Sequence, residues 1–348
     1  MEGLRSGRKQ CKWQMFTFSG QFMFRTRSRT PIDSVRVLDN ILQKWTAGIQ
    51  PTPKLVSEVV KHIFNIKAFL VSSEQEFTSE QISEFIKEVK DTDIIPLLIL
   101  HMEKVDMESR KNVVKIFSSL MRYHSESPVS MVEYVATKPE ILFALFHSYE
   151  NKATALTCGM MLRECLRWEH LARTVLFSSN FYSFFEYVEL VTFDLASDAF
   201  ATFREILTRH KKLVNKFMLQ EYEKFFDKFK GLLFSTNYAT RRLALKLLGD
   251  LLLERANFRV MTIYISKKEN LKLVMNLLKD KSRNIQLEAF HIFKIFVANP
   301  QKAPHIASIL KTNKDKLINY MESFHNDKNN DQRFHEEKEY VINQLRSL

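Results

Sequence analysis

Histidine and cysteine, the residue types that most often carry chemistry, are scattered along this 348-residue chain. None of the ten histidines has another histidine four residues away or a cysteine at the spacing of a metal site. The chain also lacks a Gly-x-Ser-x-Gly nucleophile turn, a His-Glu-x-x-His zinc helix and a glycine loop that could hold phosphate. We therefore expect no catalytic residue, no metal and no cofactor, in a protein that is not an enzyme.

One acidic segment near the end of the chain has part of a calcium-binding pattern. Asp327, Asn329 and Asp331 are spaced like the first ligands of an EF-hand loop. The sixth position of that loop requires glycine and is Gln332, and the twelfth requires a bidentate glutamate and is Lys338. The segment is therefore not predicted to bind calcium.

Aromatic and cationic residues alternate in the stretch that begins at residue 238. Tyr238, Arg242 and Lys246 are four residues apart, so on a helix they form one stripe. The other side of the same predicted helix, residues 240–255, is apolar and carries Leu243, Leu247, Leu248, Leu251 and Leu252. Such a stripe is typical of a surface that binds a protein. The alternative, which this pattern leaves open, is that the cations only solvate the helix.

The helices that position this stripe recur along the chain. Similar helix endings are separated by 42–46 residues and finish at Arg122, Arg167, Arg209, Arg255 and Asn299. A period in the forties indicates an armadillo or HEAT solenoid, and the scarcity of glycine (7) and proline (8) favours an all-α chain. We predict a right-handed α-solenoid of about six to seven repeats; a non-repetitive helical bundle is the alternative.

Several helices can be outlined within these repeats. Residues 54–70 form a predicted helix followed by a loop at 72–76, and residues 181–191 form another helix. Residues 196–210 are predicted to begin at a cap made by Ser197 or Asp194. The aromatic stretch 213–233 is predicted to be one long helix, and helices 269–278 and 284–297 follow residues 240–255.

The net charge of +12 is concentrated at the N-terminus. Seven lysine or arginine residues precede Asp33, and Glu2 is the single acidic residue in that segment. Half of the net positive charge of the chain therefore lies there. We predict a basic flexible leader at residues 1–30, for which a mitochondrial transit peptide is the alternative, and one helical-repeat domain at residues 31–348. A basic solenoid adaptor for nucleic acid or an anionic membrane is the rival function. It predicts salt-dependent binding that survives deletion of residues 1–30.

The cysteines indicate the compartment. Cys158 and Cys165 are two turns apart on one predicted helix, about 10 Å along its axis, which is too far for a disulfide. They are expected to be small core residues in a reducing compartment, so we expect the protein in the cytoplasm. The longest apolar run, residues 94–100, is too short to span a bilayer.

Four runs resemble one protein family closely. They are MLRECLRWEHLA (residues 161–172), TFDLASDAFATFREILTRHK (192–211), LKLLGDLLLERANF (245–258) and the stretch from YISKKENL to FVANP (264–300). The chain resembles the calcium-binding protein 39 family, also called mouse protein 25. The likeness is strong over residues 109–300, fainter from residue 31 and through the tail, and absent before residue 23.

The resemblance implies an armadillo-like scaffold without enzyme activity. Members of that family bind the STRAD pseudokinase, support the liver kinase tumour suppressor and activate sterile-20-class kinases. A pocket for a C-terminal Trp-Glu-Phe motif is implied at Lys272 and Met275. A concave kinase-binding face is implied by the resemblance at Phe193, Tyr238, Arg242, Lys246, Arg255 and Phe258.

Overall fold

The computed structural model describes residues 30–76, 78–123, 130–326 and 332–348, and within these ranges it contains α-helices, short 3-10 helices and no strand. The first ten α-helices are α1 (Pro31–Thr46), α2 (Pro53–Glu76), α3 (Ser79–Asp91), α4 (Ile94–Leu100), α5 (Met107–Arg122), α6 (Met131–Thr137), α7 (Pro139–His147), α8 (Ala155–Cys165), α9 (Glu169–Leu176) and α10 (Phe184–Tyr187). The others are α11 (Phe193–Thr208), α12 (Lys211–Gln220), α13 (Tyr222–Leu233), α14 (Tyr238–Leu253), α15 (Phe258–Ser266), α16 (Lys268–Leu277), α17 (Arg283–Ala298), α18 (Pro304–Thr312), α19 (Lys314–Ser323) and α20 (Gln332–Arg346).

Every third helix belongs to one continuous row. Helix α2 packs on α5, α5 on α8, α8 on α11, α11 on α14, α14 on α17 and α17 on α20. Six three-helix repeats therefore run from α3 to α20 after the pair α1 and α2, within the described residues. The row helices end at Arg122, immediately before Arg209 and Asn299, and two residues before Arg167 and Arg255, close to the predicted positions. The all-α solenoid is confirmed; its right-handed sense stays a prediction.

The core lies between this row and the two outer helices of each repeat, and phenylalanine fills its centre. Phe181 is fully buried and contacts the rings of Phe203, Phe217 and Phe225 with centroids 5.0–6.4 Å apart. Aromatic rings of this size bury large apolar areas and contact several helices at once. The abundance of phenylalanine (29) therefore serves the stacking of layers.

Polar contacts connect successive repeats in the row. Arg122 on α5 pairs with Glu164 on α8 at 2.9 Å, and Arg163 on α8 pairs with Asp198 on α11 at 2.7 Å. Arg110 donates to backbone carbonyls of its own repeat and to that of Ala153 in the next, at 2.5 Å. These ion pairs and hydrogen bonds hold neighbouring row helices in a fixed register.

Four predictions about individual helices are wrong. Residues 213–233 form two helices separated at Glu221, because packing on α14 turns the chain back where no glycine or proline marks a break. Residues 72–76 continue α2 as helix, and residues 181–191 contain a 3-10 turn and the one-turn helix α10. Helix α11 begins after Thr192, so Asp194 lies inside its first turn and Ser197 is not a cap.

Helix α15 was not predicted from the sequence. Other predictions concern residues that the structure does not describe. The leader, apart from Thr30, and the acidic positions 327–331 lie outside the described residues. Helix α1 begins at Pro31, and the division into a leader and a repeat domain stays a prediction. Nowhere in the described ranges is a helix both long and apolar enough to cross a membrane.

Candidate protein-binding surface

The predicted stripe lies on the exposed side of α14. The Asn237 side chain accepts hydrogen bonds from the backbone N–H groups of Ala239 and Thr240, which fixes the start of the helix at Tyr238. Tyr238 is 42% exposed, and Arg242 and Lys246 are exposed one and two turns later. The spacing therefore places all three side chains on the surface of the row, as predicted.

The buried side of α14 differs from the prediction at one position. Leu247, Leu248, Leu251 and Leu252 are buried, whereas Leu243 is exposed. Helix α14 contacts α11, α13 and α17, so its buried arc is wider than a simple amphipathic stripe and includes Ala244 and Leu245. Leu243 lies at the edge of this arc and joins the surface.

The Tyr238 ring is anchored to the next repeat. Its phenol oxygen accepts a hydrogen bond from Asn284 Nδ2 on α17 at 3.0 Å. Hydrogen bonds from Asn284 and Ser282, together with the positive charges of Arg242 and Arg241, lower the pKa of the Tyr238 hydroxyl. An aromatic surface held in this way loses little rotamer freedom when a partner binds.

Phe193 lies beside the start of α14. It is the first residue of α11 and is 65% exposed. With Ser197, it lines a narrow crevice whose other side is formed by Asn237 and Leu243. The structure therefore brings Phe193 to the same part of the row as Tyr238.

Arg255 and Phe258 lie at the other end of α14. Both are exposed, in the short 3-10 turn that follows the helix and at the start of α15. A helix of 16 residues that rises about 1.5 Å per residue is about 24 Å long, so the length of α14 separates both residues from Tyr238. The six residues implied for the face therefore form two groups. Phe193 lies beside the start of α14, with Tyr238, Arg242 and Lys246 along its first half, whereas Arg255 and Phe258 lie beyond its end.

A groove joins these two groups, and the sequence had not indicated it. Next to Phe258 is an apolar cavity of about 640 Å³, lined by residues that include Leu253, Met261 and Tyr340. Leu253 and Lys294 also line a polar groove of about 540 Å³ that reaches Arg242 and α20. Exposed apolar residues at the ends of separate helices give no periodic signal, so only the folded chain reveals this continuity.

Charges in the polar groove are largely paired. Glu337 on α20 contacts Lys294 at 2.7 Å, His291 at 3.5 Å and Arg333 at 3.6 Å. Burial alone would raise the pKa of Glu337, but the hydrogen bond and charge of Lys294, with the nearby His291 and Arg333, lower it. By contrast, neither Arg242 nor Lys246 takes part in an ion pair within the described residues.

Lys272 and Met275 lie one turn apart on α16 and line an open groove of about 360 Å³. Ser308, Ile309 and Thr312 on α18 form the opposite side. Met275 is half-buried against the core and Lys272 is exposed at the edge. An apolar side chain fits against Met275 and Ile309, while an acidic neighbour can reach Lys272.

Two histidines and two cysteines among the described residues contact or are buried in neighbouring parts of the fold. His101 contacts the Thr46 hydroxyl at 2.8 Å, and His210 contacts the Leu166 carbonyl at 2.8 Å. Cys158 and Cys165 are buried and unpaired, as expected, and burial raises the pKa of the Cys158 thiol to about 11. Among the described residues, no group of three or more potential metal-ligating side chains comes together.

Comparison with known proteins gives long matches. A Mo25-like family model matches residues 22–348. Calcium-binding protein 39-like of Homo sapiens is 45% identical over 327 residues, covering 94% of this chain and 97% of that protein. MO25-like protein 2 of Caenorhabditis elegans is 43% identical over 332 residues, covering 94% and 98%. The Mo25-like protein of Schizosaccharomyces pombe is 42% identical over 328 residues, covering 94% and 99%.

Proposed function

Because the chain belongs to the Mo25-like family of scaffold proteins, we propose that it binds a protein kinase or pseudokinase and activates it allosterically. The scaffold itself carries out no chemistry. Its proposed partners are a STRAD-type pseudokinase, the liver kinase tumour suppressor and sterile-20-class kinases. We expect the complex to form in the cytoplasm.

The observation that carries this proposal is the exposed group Tyr238, Arg242 and Lys246, with Phe193 beside it. Aromatic residues and arginine are the side chains that contribute most to protein interfaces. Arg242 and Lys246 have no ion-pair partner within the described chain, so acidic groups of a partner would not have to displace one. This favours a partner surface that combines apolar and acidic residues.

The Lys272–Met275 groove supports a second contact with a C-terminal Trp-Glu-Phe motif. Met275 and Ile309 offer an apolar surface for an aromatic ring, and Lys272 can pair with the glutamate. The groove lies on α16 and α18 and the stripe on α14, and we propose that one partner binds both. Two linked contacts bind more tightly than either does alone.

Activation by such a scaffold requires only selective binding. A kinase exchanges between open and closed shapes, and a partner that binds the closed shape more tightly increases its population. Moving that equilibrium from 1% to 99% closed requires a difference in affinity of about ten-thousandfold. A rigid face held by stacked repeats is suited to this task because it does not adapt to the open shape.

Titration of a peptide ending in Trp-Glu-Phe against the wild-type chain and Met275→Ala tests the groove. Truncating the methionine removes apolar surface beneath the aromatic ring, so we expect affinity to fall about tenfold. Met107→Ala, an exposed methionine on α5, is the matched control and should bind like wild type. Absence of binding to the wild type, or equal binding by Met275→Ala, would contradict the groove assignment.

A further inference from the structure

A polar cleft lies where the end of α11 and the start of α12 meet the end of α14. Its volume is about 270 Å³. Arg204 and Lys211 contribute two positive charges to its lining, and Asp250 and Glu254 contribute two negative charges. The formal charges therefore cancel within the cleft, which distinguishes it from the apolar cavity beside Phe258.

A buried amide beside these charges has an unused acceptor. Asn257 lines the cleft and is only 1% exposed. Its Nδ2 donates to the Leu251 carbonyl at 2.9 Å, which fixes the orientation of the amide. Its Oδ1 is buried and accepts no hydrogen bond within the described residues. Buried acceptors are normally satisfied, so this oxygen requires a donor, and a ligand in the cleft can supply one.

The turn that follows α14 holds the acceptors of the cleft in place. Glu254 accepts a hydrogen bond from the Ala256 backbone N–H at 3.2 Å and contacts Lys211 Nζ at 2.7 Å. The hydrogen bond from Lys211, and then that from Ala256, lower the pKa of Glu254, so its carboxylate is ionised at neutral pH. Because Glu254 and Asn257 are already fixed, a ligand does not have to order them.

The ion pair between Arg204 and Asp250 is looser. Its Nη2 and Oδ2 atoms are 3.4 Å apart, which is longer than a strong charge-assisted hydrogen bond. Both side chains are exposed, and exposed ion pairs contribute little to stability. Each group can therefore exchange this contact for one with a ligand at little cost to the fold.

The arrangement of charges excludes a ligand of one sign. A simple anion would be repelled by Asp250 and Glu254, and a simple amine would be repelled by Arg204 and Lys211. A ligand with both signs can place its ammonium group beside the acceptors of α14 and its carboxylate beside the cations of α11 and α12. The chemistry of the cleft therefore matches a zwitterion.

The remaining lining and the volume limit the rest of the ligand. Leu207, Val214 and Leu251 supply apolar surface, which favours a short aliphatic group. A water molecule occupies about 30 Å³ in the liquid, so the cleft has room for about nine groups of that size. This is the scale of a small amino acid and excludes a folded domain or a nucleotide.

We propose that the cleft binds a free α-amino acid with a short aliphatic side chain. The ammonium group donates to Asn257 Oδ1 and to the Asp250 carboxylate. The amino acid's own carboxylate accepts from Arg204 and Lys211, and its side chain packs against Leu251. None of the residues proposed for kinase binding lines the cleft, so this site is additional to the proposed function.

Isothermal titration calorimetry of the full chain with L-valine tests the site. We expect saturable binding of L-valine, and glycine should bind about tenfold more weakly because it lacks the apolar side chain. N-acetyl-L-valine lacks the ammonium group and L-valine methyl ester lacks the carboxylate, so neither should bind in the same range. Absence of saturable valine binding up to about 10 mM, or equal binding by either blocked form, would overturn the proposal.

Two exposed substitutions locate the binding. Arg204→Met and Asp250→Asn each remove one charge from the cleft and should keep the wild-type melting temperature. We expect each to lower the affinity for valine about tenfold. The matched controls are Arg173→Met on α9, which removes an arginine that is also loosely paired, with Glu169 at 3.8 Å, and Asp227→Asn, exposed on α13. Both controls should bind valine like wild type.

Asn257→Leu tests the unused acceptor directly. It removes Oδ1 and keeps a side chain of similar size, and its melting temperature shows whether the variant folds. A folded Asn257→Leu should bind valine about tenfold more weakly, and Arg204→Met and Asp250→Asn decide the question if it does not fold. Wild-type affinity in both of those variants would mean that valine binds elsewhere and that the assignment is wrong. No kinase takes part in these measurements, so their result is independent of the proposed function.

Discussion

At Gly159, two neighbouring repeats approach each other closely around a polar cluster. A Cβ atom there would overlap the Asp198 carboxylate and the Tyr149 hydroxyl. Asp198 is in turn held by Arg163 at 2.7 Å, and Tyr149 donates to it at 2.8 Å. The missing side chain therefore lets α8 carry Arg163 to α11 and keeps the row in register.

Gly159→Ala is expected to destabilise the fold by about 1–3 kcal/mol, because the methyl group must displace the partly buried Asp198 carboxylate and the Tyr149 hydroxyl. Gly231→Ala on α13 is the matched control, since a Cβ at that position meets nothing within 4 Å. The control should be stabilising by about 0.5–1 kcal/mol through helix propensity. Chemical denaturation of both variants measures the difference, and equal stabilities would contradict the close approach at Gly159.

Residues on one helix could be predicted from the sequence, and residues that meet from different helices could not. Tyr238, Arg242 and Lys246 share a helix, so their four-residue spacing was enough to place them together. The partners of Met275 in its groove, Ile309 and Thr312, come from α18, and their approach depends on how the last repeats pack. The family resemblance indicated Lys272 and Met275 without indicating that opposite side.

At the scale of elements, the contact between α1 and the end of α4 depends on a buried histidine. His101 is only 5% exposed, packs against the Trp45 ring and contacts the hydroxyl of Thr46, which itself donates to the Leu42 carbonyl. That arrangement leaves the Thr46 oxygen to accept a hydrogen bond from His101 Nε2–H. Burial, and then the positive charge of Lys104, lower the pKa of His101.

Stability is therefore expected to fall as the solution is acidified through the titration of His101. In the unfolded chain a histidine binds a proton below about pH 6.5, whereas His101 in the folded chain remains neutral to lower pH. The unfolded state thus binds more protons in this window, and the free energy of unfolding decreases. Urea unfolding at pH 7.5 and pH 5.5 should show a smaller loss for His101→Gln than for wild type. Equal losses would mean that His101 does not carry this dependence.

Two of the element predictions that were wrong, at residues 213–233 and 181–191, share one cause. The stretch from α12 to α13 contains helix-forming residues on both sides of Glu221 and no strong break signal, yet the chain turns there to pack α13 against α14. Likewise, α10 has one turn because the aromatic cluster around Phe181 fixes the surrounding chain. Tertiary packing overrides local propensity in both places.

At the scale of the whole molecule, the repeat produces the surface. Each row helix buries one side between its neighbours and leaves a stripe of exposed residues at the same place in every repeat. The period of 42–46 residues was visible in the sequence, so the architecture could be predicted. Which stripes carry aromatic, apolar or cationic residues then determines what the surface binds.

The distribution of charge also favours a protein partner. Half of the net charge of +12 belongs to the segment before Asp33, so the remaining chain is only mildly basic. Within the row, several cations are neutralised by carboxylates of the next repeat, as Arg122 and Arg163 are. Arg242 and Lys246, which form no ion pair within the described residues, share their exposed stripe with Tyr238, an arrangement more typical of protein interfaces than of nucleic-acid binding.

The most direct test of this account measures substrate phosphorylation by the liver kinase with its STRAD-type pseudokinase, with and without the scaffold. We predict that the wild-type chain raises the rate and that Arg242→Ala requires about tenfold more protein for the same effect, with an unchanged melting temperature. Arg173→Ala, an exposed arginine on the outer helix α9, should activate like wild type. No activation by the wild type, or full activation by Arg242→Ala at wild-type concentrations, would contradict the claim that this face of the solenoid binds and activates a kinase.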